Sequence, residues 1–553
     1  MLANRLRRFF AEEQWQFAPN ERPALPGSPA SPDHPLPRRF AYGAIGVLLG
    51  LTGGLGTALI SVNTIYLQGP LGLDPSEIAW LPTAYVMTNT SMNLLLIKFR
   101  QQFGLRPFTV IFLGAYALLT FAHLFVRGFW SAVAVRAASG MAGAAVSSLA
   151  LYYMMQALPA KWRLKAIVLG IAIPQCATPL ARLFSPDLLA MSQWRTLYLF
   201  ELGLTLLCLA GVGSLRLPPS ERSPAFEPLD FVTFSLFAGA VALFAAVLGE
   251  GRIVWWTDTP WVGWALAAAI PLFLAALAIE HRRARPLINT RWLGSADLLR
   301  FTIVAFMARI VLSEQNYAAV GLLNALGQTN DQMITLFAII FVASVAGAVA
   351  SAVTLDVNRL THPVMLAIGL VAVAAFIDSQ ATSLTRPEQM YATQALIAFA
   401  ATFFIGPSLL FGMTRALQQG AGHIISFFTL FGILNNIGTL AGSAFLGTYQ
   451  TIREKAISAD LVGTIDPTDP MVAQRLAAGG SAVARVIGDP RLRSAEGAAL
   501  LSQATTREAT VLAYDDVFRL VAVLAAATTL YLLFILWRRG VRVRRAALVE
   551  ASA

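Results

Sequence analysis

The sequence predicts an all-α integral membrane protein with about fourteen transmembrane helices. Of its 553 residues, 56% are hydrophobic and 13% are charged, whereas soluble domains carry about 25% charged residues. Its mean hydropathy is +0.63. Apolar runs of roughly 18–25 residues, the length that crosses a hydrocarbon core, recur from residue 40 onward. Together these observations argue against a soluble domain.

The apolar runs can be delimited one after another along the chain. The first eight predict helices near 40–66, 78–97, 107–125, 129–157, 166–189, 195–215, 231–248 and 262–279. The others predict helices near 299–322, 333–355, 363–377, 391–413, 424–448 and 516–537. An even number of spans places both termini on the same side of the membrane.

Basic residues predict which side that is. Arginine and lysine cluster before the first run and after the second, fourth, eighth and last runs. The alternate short loops contain little more than Arg127, Arg252 and Arg386. Because loops rich in lysine and arginine remain in the cytoplasm, both termini are expected to be cytoplasmic. The net charge of +11 has the same origin, and its scatter over many short loops argues against nucleic-acid binding.

Two segments lie outside the predicted bundle. Residues 1–39 form an extension that begins either as a short amphipathic helix or as a solvated tail, and its prolines predict a stiff linker without a packed core. Residues 449–515 form the only long loop, on the outer side. Within it, 472–484 and 495–514 are predicted to be polar helices. A loop of this length serves either to bind a partner or to cap the bundle.

Ionisable side chains occur inside three consecutive spans. Arg136, Arg182 and Glu201 each lie about 10 Å from the outer end of their helix, at a rise of ~1.5 Å per residue. A charge in the bilayer costs about 2.5–3.5 kcal/mol and normally faces a cavity or a partner. Three charges at one depth therefore predict a polar chamber, or else ion pairs that lock the helices together.

Several segments resemble the sequence motifs of one protein family. Residues 136–140 (RAASG) resemble its RxxQG motif, with Ser139 in place of glutamine. Residues 158–163 resemble its PPxxR loop, residues 174–182 stand at its APxxGPxxGG motif, and residues 194–201 resemble WRWIFxIN. These matches lie in the order and spacing found in the major facilitator superfamily, so the chain resembles that family, specifically its fourteen-span EmrB/QacA-type drug:proton antiporters.

The resemblance continues beyond the first six spans. Residues 285–288 (RPLI) before Phe301 resemble the NPIVDL…F loop, and residues 502–518 match the last loop and the start of the last span. Gln394, Phe404 and Pro407 match the twelfth span. The resemblance thus extends over residues 40–537, nearly the whole chain.

The resemblance implies a domain organisation. It places a six-helix half at 40–215, an inserted helix pair with its linkers at 216–298, and a second six-helix half at 299–537. The cytoplasmic extension at 1–39, the periplasmic loop at 449–515 and the cytoplasmic tail at 538–553 complete the chain.

The resemblance also implies a function. The expected protein is a multi-pass transporter of the bacterial inner membrane, not an enzyme. It would export hydrophobic or amphipathic drug-like compounds by alternating access in exchange for protons. The proton gradient would supply the energy, and no cofactor is expected. In a cell with two membranes, relatives work with a periplasmic adaptor (a membrane fusion protein) and an outer-membrane channel, which implies docking through 449–515. The sequence contains no phosphate-binding loop of an ATPase.

Two positions depart from the family in a way that affects proton coupling. The acid of the first-span motif LDxTIxNVAxP falls on Gly56, and Gln101 stands where the GxLADRxGR loop has its aspartate. We therefore expect Glu201 and Glu314 to carry the protons. An organic-anion importer or facilitator, and a scaffold or sensor without transport activity, are the alternatives; the departures favour the latter modestly.

The ninth span supplies the remaining candidate residues. Arg309 and Glu314 are five residues apart, so they are not helix neighbours, and Glu314 lies roughly 20 Å from the cytoplasmic end. Because facilitator folds place their site between the halves, we expect these two charges to join the chamber. The candidates for substrate binding or charge pairing are Arg136, Arg182, Arg309, Asn316, Tyr317 and Gln394. The excess of arginine over carboxylate points to an anionic substrate.

Overall fold

The computed structural model describes residues 18, 21–23, 27–190, 194–466 and 468–552, with backbone only at 190, 421, 539 and 542–552. The predicted amphipathic segment near residues 2–10 lies outside these residues. The described chain is helical, as predicted, and its only β-bridge joins Pro29 and Ser220.

The first half is built from helices α1 to α8. They are α1 Leu36–Ser61, α2 Thr64–Leu71, α3 Pro75–Phe103, α4 Leu105–Ala122, α5 Phe129–Ala157, α6 Arg163–Ala172, α7 Ala177–Ala190 and α8 Arg195–Ser214. A 3₁₀ turn at Ile173–Cys176 joins α6 to α7, because Pro174 lacks the amide hydrogen that would continue the ladder.

We keep the names inserted pair and second half for the helices that follow. The inserted helices are α9 Pro228–Glu250, α10 Pro260–Arg282 and the short α11 Thr290–Leu293. The second half contains α12 Ala296–Leu312, α13 Val320–Ala325, α14 Ile334–Val353, α15 Thr361–Asp378, α16 Tyr391–Gln419, α17 Ala421–Gly463, α18 Pro470–Ala482 and α19 Pro490–Ser552.

Twelve helical segments of the described chain are long and apolar enough to cross a membrane. The prediction of about fourteen spans included two more. One is α3, which is long but more polar. The other is the ninth run, which a π-helical turn at Gln315–Ala319 divides into α12 and α13. The fold class is confirmed, and the count of fourteen remains approximate.

The two ends of the bundle differ in chemistry. We call the end where α3 meets α4 the basic end, because the clustered arginines and lysines lie there, and the other the opposite end. The first and second halves of the bundle contact each other at both ends. At the basic end, Lys165 Nζ donates to the Val353 carbonyl at 3.3 Å. Midway, Asn436 Nδ2 lies 3.2 Å from Asn89 Oδ1 and from Thr90 Oγ1.

A buried charge network attaches the inserted pair at the basic end. Lys98 on α3 pairs with Asp230 on α9, while Arg283 binds Asp230 at 2.9 Å, Glu280 at 2.8 Å and Glu227 at 2.6 Å. Burial lowers the pKa of Arg283, but its hydrogen bonds to the three carboxylates raise that pKa above its usual range. The inserted pair is therefore fixed to the first half by charge as well as by apolar packing.

The proline-rich segment before α1 does pack, which corrects the prediction of a linker without a core. Ala30 and Ser28 are fully buried, and the Ala30 amide donates to the Pro219 carbonyl at 2.9 Å. His34 Nε2 lies 3.0 Å from Gln156 Oε1 at the end of α5. The segment is held by main-chain hydrogen bonds that composition does not reveal.

The predicted outer loop forms a helical extension of the bundle. Helix α17 continues to Gly463, α18 occupies Pro470–Ala482, and α19 runs without a break from Pro490 into the last span. Both predicted polar helices are confirmed. A Cβ at Gly480 would lie 2.8 Å from the Arg493 carbonyl oxygen, so glycine permits the close contact of α18 with α19.

Candidate functional site

A buried polar group in the first half contains Glu201. The Tyr116 hydroxyl on α4 donates to Glu201 Oε1 at 2.7 Å on α8. On α5, Arg136 donates from Nη1 to the Gly56 carbonyl at 2.8 Å and from Nε to the Leu81 carbonyl at 3.4 Å. Its guanidinium also lies 4.8 Å from the Tyr85 ring centroid. The group thus joins helices α1, α3, α4, α5 and α8.

Glycine at position 56 creates the space for the Glu201 carboxylate. A Cβ there would overlap the Tyr116 hydroxyl and would lie 2.8 Å from Glu201 Oε1. The sequence comparison placed the family's first-span acid at this same position. The carboxylate of α8 therefore occupies the space beside α1 that a first-span side chain would otherwise enter.

Arg136 and Glu201 do not form an ion pair. Within the described residues, Arg136 Nη2 and Glu201 Oε2 are buried and have no hydrogen-bond partner. The two residues are 1% and 2% exposed. Buried polar atoms without partners carry a desolvation cost and are uncommon. The arrangement leaves one carboxylate oxygen available for a proton.

Arg182 belongs to a different contact, between the halves near the opposite end. Its Nη1 lies 3.5 Å from Asn330 Oδ1, and its guanidinium lies 5.0 Å from the Phe337 ring centroid. Both partners belong to the second half. The guanidinium therefore bridges the halves instead of joining the Glu201 group.

A second buried carboxylate group lies in the second half. Gln394 Nε2 on α16 donates to Glu314 Oε1 at 3.2 Å and to Asp378 Oδ2 at 2.9 Å. Gln315 donates from Nε2 to the Gln394 carbonyl at 2.9 Å. Glu314 and Gln394 are fully buried and Asp378 is 5% exposed. No basic side chain of the described chain forms an ion pair with either carboxylate.

Sequence reasoning missed Asp378. It ends α15, one residue beyond the predicted run 363–377, and an acid at a run boundary is ordinarily assigned to the adjoining loop. The π-helical turn that starts immediately after Glu314 was also unforeseen. Such turns are rare and recur at functional sites.

The other candidates of the ninth span lie apart from these carboxylates. Arg309 packs against α17, where a Cβ at Gly438 would be 2.9 Å from Arg309 Cβ. Asn316 is exposed. The Arg252 guanidinium lies 5.4 Å from the Tyr317 ring centroid.

The single five-charge chamber predicted from the sequence is therefore not assembled by direct contacts. Arg136 and Glu201 share one group, Glu314 belongs to another, and Arg182 and Arg309 each have separate neighbours. The depths inferred from the sequence for Arg136 and Glu201 agree with their common position in the structure. The helix face on which each side chain lies depends on how neighbouring helices pack, and the sequence alone does not show this packing.

A cleft of about 220 Å³, partly open to solvent, separates α3, α5 and α6 from α17. Its wall combines aromatic and aliphatic side chains with hydroxyl and amide groups. Arg100 on α3 is its single charged lining residue. The buried charges predicted as the chamber are absent from this wall.

Comparisons with known proteins agree with this architecture. Residues 46–443 match the family model described as the Major Facilitator Superfamily. A search of curated proteins found no match.

Solved structures share the fold at low sequence identity. The human organic anion transporter MFSD10 (TETRAN) is 15% identical over 89% of this chain and 100% of its own, with a TM-score of 0.52. Tetrameric PepTSo2 is 12% identical over 91% of this chain and 99% of its own, with a TM-score of 0.54. A bacterial homologue of the human drug peptide transporters PepT1 and PepT2 is also 12% identical over 91% and 99%, with a TM-score of 0.53.

The family match covers most of the chain, and the helical fold agrees with it. Proteins of this family are transporters, not enzymes, and typically need no cofactor. The chain belongs to the Major Facilitator Superfamily.

Proposed function

We propose that this protein exports hydrophobic or amphipathic drug-like compounds, including organic anions, in exchange for protons. It would act in the inner membrane of a bacterium, with both termini in the cytoplasm and the helical extension in the periplasm. Glu201 and Glu314 would carry the protons, one in each half.

The observation that carries this proposal is the pair of buried carboxylate groups. Glu201 and Glu314 lie in different halves, and neither forms an ion pair with a basic residue of the described chain. A charged side chain in the membrane interior costs free energy, so such residues are usually retained because they have a function. Protonation removes the negative charge of each carboxylate. The transporter could then pass through its occluded state without a counter-ion beside that carboxylate.

The cleft supports a small organic substrate. Binding sites for drug-sized molecules usually enclose about 300–1000 Å³ and combine apolar walls with a few polar groups. The cleft has this mixed lining, and its volume of about 220 Å³ lies somewhat below that range, which suits a small organic molecule. An organic anion transporter is among the solved structures that share this fold.

Flux measurements in liposomes test the proposal directly. The purified protein is expected to accumulate an amphipathic dye only when a pH gradient is imposed, and to move protons in the opposite direction. Flux without dependence on the pH gradient would instead favour a facilitator of organic anions. No flux of any tested compound, with intact folding, would favour a scaffold or sensor.

The helical extension supports a partner outside the membrane. Met471, Val486 and Leu492 are 66%, 88% and 58% exposed, although this region faces water in the proposed orientation. Apolar side chains this exposed on a polar extension offer contacts to a partner protein. We therefore include a periplasmic adaptor and an outer-membrane channel among the proposed partners, with the alternative that the extension only caps the bundle.

Replacing residues 472–499 by a short Gly/Ser linker is expected to separate transport from docking. Transport by the purified protein in liposomes should be unchanged, whereas drug resistance and adaptor co-purification from cells should be lost. The point variant Val486→Ser is a milder version with the extension intact. Loss of liposome transport as well would favour the cap, and intact resistance in cells would contradict docking.

A further inference from the structure

The cleft contains a buried arginine without a counter-ion. Arg100 lies near the basic end of α3 and is 4% exposed. Its Nε and Nη1 atoms are buried without a hydrogen-bond partner in the described structure. The guanidinium carbon lies 5.0 Å from the Phe108 ring centroid and 5.2 Å from that of Tyr152.

The two aromatic rings compensate only part of the cost of burying this charge. Cation–π contacts are worth about 0.5–2 kcal/mol. The guanidinium also hydrogen-bonds to the Tyr152 hydroxyl, but Nε and Nη1 remain without a partner. A carboxylate binds the end of a guanidinium through two parallel hydrogen bonds, one to Nη1 and one to Nη2. Arg100 lies in the cleft wall, so a ligand that enters the cleft would lie next to this side chain.

The rest of the cleft defines what such a ligand would look like. Across from α3, Phe428 and Phe431 on α17 offer aromatic surface, while Gln175 and Asn435 offer amide groups. The lining contains no carboxylate and no second arginine or lysine. The site therefore matches one negative charge on an apolar, aromatic body.

We propose that Arg100 is the anion-binding residue of the cleft and that the cleft takes monoanionic aromatic carboxylates. This inference rests on the proposed transport function, which makes the bound carboxylate a transport substrate. Arg100, which binds the negative charge of that substrate, is not one of the predicted chamber residues. Phe108 and Tyr152 would hold the guanidinium plane in position for the carboxylate.

Equilibrium binding to the full chain in phosphatidylcholine nanodiscs tests the site without a pH gradient. The probes are radiolabelled 2-naphthoate and its neutral, nearly isosteric analogue 2-naphthamide. Wild-type protein is expected to bind 2-naphthoate about 10- to 100-fold more tightly, because hydrogen bonds to charged groups contribute more than neutral ones.

Variants of Arg100 attribute that preference to one side chain. Arg100→Gln should weaken 2-naphthoate binding by about the same 10- to 100-fold and leave 2-naphthamide binding unchanged. Arg100→Lys should recover only part of the affinity, since lysine cannot make the planar two-point contact. Arg285→Gln, a change at an exposed arginine near the same end, should have no effect.

Equal affinity of wild-type protein for the acid and the amide, or no 2-naphthoate binding at all, would overturn the inference without relying on any variant. Unchanged 2-naphthoate binding by Arg100→Gln would do the same. Thermal unfolding and monodispersity of each variant exclude misfolding. Charge-selective binding without proton-driven flux would refute the proposed function and keep the anion site, and the reverse result would keep the function and refute the site.

Discussion

Glu201→Gln is expected to abolish proton-driven accumulation and to leave the protein folded. The amide has nearly the shape of the acid, and its oxygen can still accept the 2.7 Å hydrogen bond from the Tyr116 hydroxyl. It cannot take up a proton. With an imposed gradient of about two pH units, one coupled proton is worth about 2.7 kcal/mol, or roughly 100-fold accumulation. The variant should lose this accumulation in a liposome flux assay.

Exchange of substrate between two compartments at equal pH distinguishes coupling from binding. Such counterflow should persist in Glu201→Gln, because the cleft and its lining are unchanged. Glu388→Gln, at an exposed acid, is the matched control and should behave as wild type. Unchanged proton-driven accumulation in Glu201→Gln would remove this residue as a proton carrier.

The space beside Gly56 allows the acid to be moved between helices. The triple variant Gly56→Asp, Tyr116→Phe, Glu201→Ala transfers the carboxylate from α8 to α1. Removal of the Tyr116 hydroxyl relieves the overlap that a Cβ at position 56 would cause. Partial recovery of proton-driven flux relative to Glu201→Ala is the expected result. It would show that the location of the carboxylate matters more than the helix that supplies it.

Glu314→Gln is expected to have an equally large effect on proton-driven flux, and Asp378→Asn a related one. The Gln394 side-chain nitrogen donates to both carboxylates, at 3.2 Å to Glu314 and 2.9 Å to Asp378. Like charges so close, in a buried site without an ion pair, repel strongly, so a proton bound by either carboxylate relieves both. The pair is then one binding unit for a proton.

A double-mutant comparison tests whether the pair acts as a unit. Glu314→Gln combined with Asp378→Asn should reduce proton release no further than Glu314→Gln alone, measured with a pH indicator during substrate binding. Glu388→Gln, a change at an exposed acid outside the pair, is the control. Additive losses would mean that the two carboxylates bind protons independently. Flux driven by a sodium gradient in place of a proton gradient would contradict proton binding here.

Much of the fold follows from local properties of the chain. A run of apolar residues long enough to cross the bilayer needs no partner to be recognised, and this placed most of the helices within a few residues of their observed bounds. The polar helices of 449–515 were also predicted, since their composition excludes them from lipid. Local pattern failed where tertiary contacts decide: residues 27–35 pack through hydrogen bonds to distant segments, and the ninth run is divided at Gln315–Ala319.

The candidate site was predictable in kind but not in arrangement. That charges at 136, 201 and 314 are buried follows from their positions inside apolar runs, and the rise per residue gives their depth. Which face they occupy is decided by neighbouring helices, so the sequence by itself did not separate Arg182 from Glu201. Nor did it pair Glu314 with Asp378. Arg100 was unremarkable in the sequence, because arginines at a basic end normally face water. Only the packing of α3 against α4 and α5 buries it between the Phe108 and Tyr152 rings, where its charge lacks a counter-ion.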